Sequence, residues 1–279
     1  MIRSGQALRR PPSVSLMWLL ALLPLWITGC GKPARDAIPD SAAKAGPPGP
    51  LRVAAASDLQ AALPKLAERF RARNGIAITP AFQSSGVLSQ QIKQGAPFDV
   101  FLSANESFVR DLAGGGFIRP GSVHAYARGS LVLAVYGELG GRVESLADLT
   151  RPEVKKIALA NPETAPYGRA GKQALERAGL WGKLQPRIVI AESVRQALLY
   201  AQKGDAEAAL VGRAIADVPE VRAIEVDAGL YDPIVQALGI IADSPRRADA
   251  EAFAAFVLGE EGQAILKQYG FRAGRADGP

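Results

Sequence analysis

Residues 51–73 read LRVAAASDLQAALPKLAERFRAR, an apolar run that passes directly into a helical pattern. Residues 51–56 are almost entirely apolar and predict a short strand. Beyond them, Leu59, Leu63 and Phe70 recur at the spacing of one helix face. A strand followed at once by a helix is the repeating unit of α/β proteins, so this stretch predicts that class of fold.

The same alternation continues along the chain and predicts two lobes. Further strands are predicted at residues 77–82, 99–103, 130–135, 157–160, 188–190, 208–211 and 234–241, and further helices at residues 86–94, 168–178, 194–203, 246–258 and 260–268. We assign residues 51–131 and 233–279 to lobe I, because the last segment lacks a sheet of its own, and residues 132–232 to lobe II. Ligands of open α/β folds bind at the carboxyl ends of strands, so we expect the site in the cleft between the lobes.

The composition excludes several classes of protein. The formal charge is +6, but Arg3, Arg9 and Arg10 supply part of it, and no basic stripe with interleaved aromatic residues appears. We therefore expect no nucleic-acid partner. One cysteine, Cys30, and one histidine, His124, are too few for a structural zinc site or an intramolecular disulfide. We expect no cofactor and no bound metal cation.

The first fifty residues are typical of an export signal and a tether. Residues 1–30 combine a basic start with an apolar run at 14–27 that is too short to span a bilayer. The run ends in Ile-Thr-Gly-Cys at 27–30, which resembles a bacterial lipobox and predicts lipidation of Cys30; the alternative is an unmodified cysteine beside an ordinary cleavage site. Residues 31–50 are rich in Pro, Gly and Ala and predict a flexible tether. These features predict a periplasmic or envelope protein held at the membrane by its lipid.

Four junctions between a predicted strand and a predicted helix carry the candidate binding residues. The helix N-termini at residues 55–59, 82–87, 161–168 and 191–195 would direct backbone N–H groups to the same edge of the fold. Such termini bind anions without help from lysine or arginine. The structural alternative stays open at every position, since a serine before a helix is commonly only a cap.

The sequence also argues against an enzyme. It contains no G-x-S-x-G frame, no P-loop and no G-x-G-x-x-G fingerprint, and Ser84-Ser85-Gly86 matches none of them. His124 lies in a polar stretch, where we expect it to be a surface residue. A carboxylate-binding site would call for an arginine fork. Arg169 and Arg195 lie near the predicted cleft, but we expect both on solvated helix faces.

Six segments between residue 51 and about residue 271 resemble the periplasmic molybdate-binding proteins of ABC importers. They are AAASDLQAAL (54–63), FQSSGVLSQQIKQGAPFDVFLSA (82–104), YARGSLVLAV (126–135), NPETAPYGRAGKQALERAGLW (161–181), AESVRQAL (191–198) and KQYGF (267–271). The resemblance implies an α/β, two-lobed periplasmic-binding-protein fold of type II (Venus flytrap), each lobe a mostly parallel sheet flanked by helices. It also implies capture of molybdate or tungstate for an ABC permease and its ATPase, by a chain that acts as a monomer.

Four contacts are carried over from the resemblance. The hydroxyl groups of Ser57 and Ser85, a group of Tyr167, and the backbone amide of Val194 would hold the oxyanion. Some members of the family place a tyrosine where this sequence has Gly212, and Tyr167 is expected to replace it.

Asp58 leaves the identity of the ligand open. As an acid in a first helical turn it would be stabilised by the helix dipole, without touching the ligand. As a group facing the cleft it would repel a dianion or accept a proton from a protonated oxyanion. Sulfate and phosphate therefore remain alternative ligands, and a sensing lipoprotein without a transporter is an alternative role.

Overall fold

The computed structural model describes residues 49–139 and 141–274, which form two β-sheets flanked by helices. The predicted signal peptide, Cys30 and most of the tether lie outside the described residues. Gly49 and Pro50, at the end of the tether, are exposed and have no regular structure. Within the described part of the chain, none of the helices is long and apolar enough to cross a membrane.

The first sheet, on which lobe I is built, has six strands. They are β1 (Leu51–Ala56), β2 (Ile78–Gln83), β3 (Val100–Ser103), β4 (His124–Gly129), β10 (Ile234–Ile240) and β11 (Arg272–Ala273), in the spatial order β11–β4–β10–β3–β1–β2. Five helices accompany them: α1 (Ala62–Asn74), α2 (Ser85–Lys93), α3 (Glu106–Gly114), α7 (Arg247–Leu258) and α8 (Glu260–Gln268). One apolar cluster lies under α1, α7 and α8, and a second lies under α2 and α3.

The second sheet, on which lobe II is built, has five strands around a single apolar cluster. They are β5 (Leu131–Tyr136), β6 (Ile157–Ala160), β7 (Ile188–Ala191), β8 (Ala208–Gly212) and β9 (Val221–Glu225), in the order β7–β6–β8–β5–β9. Its helices are α4 (Pro166–Arg177), α5 (Trp181–Leu184) and α6 (Val194–Gln202). The predicted two-lobed α/β architecture is confirmed.

Both sheets are mixed: β1, β2 and β3 pair in parallel in the first, and β6, β7 and β8 pair in parallel in the second. In the first sheet β10 runs antiparallel to β3 and β4, and in the second β5 runs antiparallel to β8 and β9. Only Ser130 separates β4, in the first sheet, from β5, in the second, so the chain passes directly from one sheet to the other. The chain returns from the second sheet to the first through residues 226–233. We keep the predicted lobe boundaries as a proposal.

Most predicted elements are present, and the differences have local causes. The helix predicted at 58–73 begins as a 3-10 turn, Ser57–Gln60, and becomes α1 only at Ala62. Pro64 has no N–H to donate to the carbonyl of Gln60, so a continuous α-helix cannot pass through this point. The elements α3, α5, β4, β9 and β11 were not predicted from the sequence. The start of α3 carries a cap signal, since the Asn105 side chain accepts from the Ser107 amide.

Candidate functional site

A small cavity lies where the two lobes meet. Its volume is about 10 Å³, on the order of one water molecule. The residues around it stand at the ends of strands or the starts of helices: Ala56, Ser57, Asp58, Ser84, Ser85, Ala104, Ala165, Pro166, Tyr167 and Val194. The structure thus brings all four predicted ligand-binding residues together, with Ser57 and Ser85 from lobe I and Tyr167 and Val194 from lobe II.

The serines of lobe I have hydroxyl groups available to a ligand. The Ser85 Oγ accepts a hydrogen bond from the Ala104 amide at 2.9 Å, which leaves its own proton free to donate. The Ser84 Oγ is buried and has no hydrogen-bond partner, although Ser84 holds the N-cap position of α2. Ser57 does not hold a cap position, because Ala56 is the N-cap residue of its 3-10 turn. The capping alternative is therefore not realised at Ser57 or Ser84. Ser84 is a cavity residue that the sequence analysis passed over in favour of its neighbour.

Tyr167 takes up the space that the sequence comparison had assigned to a residue at position 212. A Cβ added at Gly212 would lie 2.9 Å from Tyr167 ring atoms, and one added at Gly129 would lie 2.0 Å from its hydroxyl oxygen. Pro166 occupies the first turn of α4, where its missing N–H costs nothing, and so places Tyr167 at the second position of that helix. This geometry supports the expectation that Tyr167 replaces a tyrosine at 212.

Val194 is the first residue of α6, and its side chain is buried. The amides of the first helical turn have no partner four residues back, so the Val194 N–H is available at the cavity. Ser193 caps the same helix, because its Oγ accepts from the Gln196 amide at 3.2 Å. The contact expected from Val194 is thus a property of its backbone rather than of its side chain.

Asp58 is the most unusual group on the cavity, since its side chain is fully buried. Burial raises the pKa of its carboxyl group from 3.8 to about 6, while hydrogen bonds from Gln236, Tyr167 and the amides of Asp58 and Leu59 partly oppose that rise. One carboxylate oxygen, Oδ1, has no hydrogen-bond partner. Of the two alternatives for Asp58, the structure favours the one that faces the cleft.

Gln236, which the sequence analysis missed, connects the lobes through a buried network. Its Nε2 donates to the Asp58 Oδ2 and, at 3.1 Å, to the Tyr167 hydroxyl oxygen; its Oε1 accepts from the Tyr126 hydroxyl at 2.6 Å. The pairing of β10 with β4 shifts register directly after Gln236, a bulge of the kind that re-aims a side chain toward a site. The signal in the sequence was a glutamine inside the apolar strand IVQALGI, because a buried amide needs partners.

A main-chain contact brings the lobes together beside the cavity. The Gly86 N–H, in the first turn of α2, donates to the Thr164 carbonyl oxygen at 2.8 Å. A Cβ added at Gly86 would lie 2.8 Å from that oxygen and 2.9 Å from the Thr164 Cα. Both neighbours are backbone atoms, so the lobes can approach this closely only because residue 86 is glycine.

The electrostatics of the cavity suit a small anion. Three helices, α2, α4 and α6, begin at its wall, and each N-terminus carries a partial positive charge. Among the described residues that line it, none is lysine, arginine or histidine. His124 is exposed at the start of β4, in agreement with its predicted surface position. The described residues contain no group of acidic, histidine or cysteine side chains that could hold a metal ion.

A larger cavity of about 560 Å³ lies nearby, but it lacks the features of a ligand site. Its lining includes Arg195, Arg213 and Lys267 and contains none of the predicted ligand-binding residues. Arg213 is partly exposed and pairs with Glu225 at 3.4 Å. Because exposed charges stay hydrated and bind anions weakly, we assign the ligand to the smaller, buried cavity.

Two mixed α/β lobes with an enclosed cavity of neutral hydrogen-bond donors between them define a two-lobed ligand-binding protein. The chain belongs to the family of bacterial extracellular solute-binding proteins, whose family model matches residues 51–272.

Three relatives illustrate this membership. The candidate ABC transporter substrate-binding lipoprotein YvgL of Bacillus subtilis (strain 168) is 34% identical over 226 residues, which cover 80% of this chain and 86% of the relative. The molybdate-binding protein ModA of Rhodobacter capsulatus is 32% identical over 203 residues, 72% of this chain and 80% of that protein. The solved periplasmic molybdate-binding protein of Azotobacter vinelandii superposes with a TM-score of 0.75 at 37% identity, covering 79% of this chain and 98% of that one.

Proposed function

We propose that this protein captures molybdate or tungstate between its lobes and delivers the anion to an ABC permease and its ATPase. The observation that carries the proposal is the convergence of neutral donors and three helix N-termini on a cavity only a few atoms wide. Hydroxyl and amide groups donate hydrogen bonds, so they suit a fully deprotonated oxyanion. The relatives described as molybdate-binding proteins support this choice of ligand.

Closure of the lobes is the step that the anion would control. Ser57 and Ser85 would bind it from lobe I, and Tyr167 and the Val194 amide from lobe II. An anion in contact with both lobes stabilises the closed form over the open one by its difference in affinity for the two. The permease would then recognise the closed form, in which the lobe surfaces have a fixed spacing.

Isothermal titration calorimetry with four anions tests the choice of ligand. We expect molybdate and tungstate to bind with one-to-one stoichiometry, and sulfate and phosphate to give no heat of binding under the same conditions. Binding of sulfate or phosphate instead would keep the cavity and overturn the ligand. If none of the four anions bound, the proposed transport function would be wrong.

We also propose that the protein is anchored in the cell envelope by a lipid on Cys30. The support is the lipobox-like sequence that ends at Cys30 and the lipoprotein described among the relatives. In cells, Cys30→Ser is expected to move the protein from the membrane fraction to the soluble fraction, because lipidation needs the thiol. A variant that stayed with the membrane would contradict the anchor; Ser4→Ala, in the basic start of the chain, serves as the control.

We further infer that the protein acts as a monomer and without catalysis. The cavity contains serine hydroxyls but, among its described lining residues, no histidine or lysine that could act as a base, and the hydrogen bond to the Asp58 carboxylate comes from Gln236 rather than from a serine. Turnover of a small ester or phosphoester that Ser57→Ala abolished, or a dimer in sedimentation, would contradict this inference.

A further inference from the structure

A buried acid stands in a cavity built for an anion, and the proposed mode of binding does not explain it. The Asp58 side chain is fully buried, and its Oδ1 has no partner in the described structure. Its other oxygen, Oδ2, is already occupied by the Gln236 amide. An ionised carboxylate here would place an uncompensated charge against a dianion in a site shielded from water, where repulsion is strong.

We propose that Asp58 is a further ligand-binding residue and that it binds the oxyanion as a neutral carboxylic acid, through an Oδ1–H that donates to an anion oxygen. Each anion bound by the ionised protein then takes up one proton from solution. The proton joins the carboxylate, no other covalent bond forms or breaks, and the net charge entering the cavity falls from two to one. The inference rests on the proposed function, since it concerns the same cavity.

The hydrogen-bond network leaves Oδ1 as the position for the proton. Gln236 donates through Nε2, so Oδ2 must act as an acceptor. The Oε1 of Gln236 accepts a hydrogen bond from the Tyr126 hydroxyl, which fixes the orientation of the Gln236 amide. Burial raises the pKa of the Tyr167 hydroxyl well above its usual value, and Asp58 and Tyr126 raise it further. Tyr167 therefore stays protonated. The oxygen that remains without a partner is the one that can turn its proton to the ligand.

The charges around Asp58 do not hold it in the ionised form. The titratable groups that face it are the two tyrosine hydroxyls, on β4 and α4, and both are neutral. Charged residues on the elements packed against the turn bind elsewhere: Arg195 to Gln202, Arg213 to Glu225 and Lys65 to Glu68. Burial has already raised the pKa to about 6 in the ligand-free protein, and a neighbouring anion raises it further.

Calorimetry at pH 8 in two buffers of different ionisation enthalpy measures the proton directly. For the wild type we expect the enthalpies of molybdate binding observed in the two buffers to differ by about the difference between the buffers' ionisation enthalpies. Such a difference corresponds to the uptake of about one proton per anion. For Asp58→Asn we expect no such dependence. The dissociation constant of the wild type is expected to rise about 10-fold for each pH unit above 6, whereas that of the variant stays flat.

The affinity of Asp58→Asn separates a ligand contact from a structural role. Asparagine keeps an oxygen for Gln236 and offers a permanent neutral donor, so the variant should bind molybdate up to about 100-fold more tightly than the wild type at pH 8. Near pH 6 the two proteins should differ little. A residue that only supports the fold would give a weaker variant at every pH. Asp99→Asn alters another fully buried aspartate, which accepts from the Arg52 amide and the Ser244 hydroxyl, and should leave proton uptake unchanged.

The outcomes distinguish this inference from the proposed function. Molybdate binding by the wild type without proton uptake would overturn the role of Asp58 and leave the function standing. Equal proton uptake by wild type and Asp58→Asn would overturn it as well. An absence of molybdate binding at every pH would overturn both.

Discussion

Replacing Ser57 and Ser85 together by alanine is expected to weaken molybdate binding by on the order of 1,000-fold. A hydrogen bond to a charged group contributes about 1.5–3 kcal/mol, and the double variant removes two of them from one anion. Each 1.4 kcal/mol corresponds to a factor of about 10 in affinity. The anion would also lose most of its side-chain contacts with lobe I, so it would stabilise the closed form less. Titration calorimetry of the purified variant gives the dissociation constant directly.

Ser122→Ala is a matched control for this effect. Like Ser85, Ser122 is a buried serine whose Oγ accepts from a backbone amide, in this case that of Ile240 at 3.1 Å, but it is not among the residues that line the ligand cavity. Its substitution should lower stability slightly and leave the affinity for molybdate unchanged. If the double serine variant kept an affinity within a factor of two of the wild type, the assignment of the cavity would be wrong.

Gly86→Ala is expected to separate stability from binding. Alanine favours a helix over glycine by about 1 kcal/mol, so α2 and the ligand-free protein should be as stable as the wild type or more so. The added Cβ would nevertheless meet the Thr164 backbone at 2.8 Å, and the lobes would have to stay apart. We expect molybdate to bind on the order of 100-fold more weakly, since binding requires closure. Thermal unfolding with and without molybdate measures both effects on one sample.

Gly182→Ala provides the comparison, because Gly182 is also a helical glycine, in α5, and a Cβ added there meets nothing within 4 Å. It should leave molybdate binding intact. Wild-type affinity in Gly86→Ala would mean that closure does not need the contact with Thr164.

The sequence was sufficient for most of the strands and helices and, through the family resemblance, for four residues of the cavity. Three of these, Ser57, Ser85 and Val194, also follow a local pattern, because they stand where an apolar strand ends and a helix begins. The mixed character of the sheets could not be read in this way. It depends on pairings between strands that are far apart in the sequence, such as β10 with β3, which no local pattern shows.

The network around Asp58 was beyond sequence reasoning for a different reason. Gln236 lies 178 positions from Asp58 and on the last long strand, so no local pattern connects them. Acids in the first turn of a helix are usually solvated, so the sequence could not exclude a solvated position for Asp58. Here the turn is 3-10 and its side chain points into the protein, so burial rather than the helix dipole determines the pKa.

The packing of Tyr167 against Gly129 and Gly212 has an evolutionary consequence. One aromatic ring fills a volume that a side chain from any of three positions could enter, and two of the three must then be glycine. Substitutions at 167 and 212 should therefore be coupled over evolutionary time, with a large residue at one site accompanied by a small residue at the other. Descendants that exchange the two would keep a hydroxyl near the anion while its source moves from the start of α4 to the end of β8.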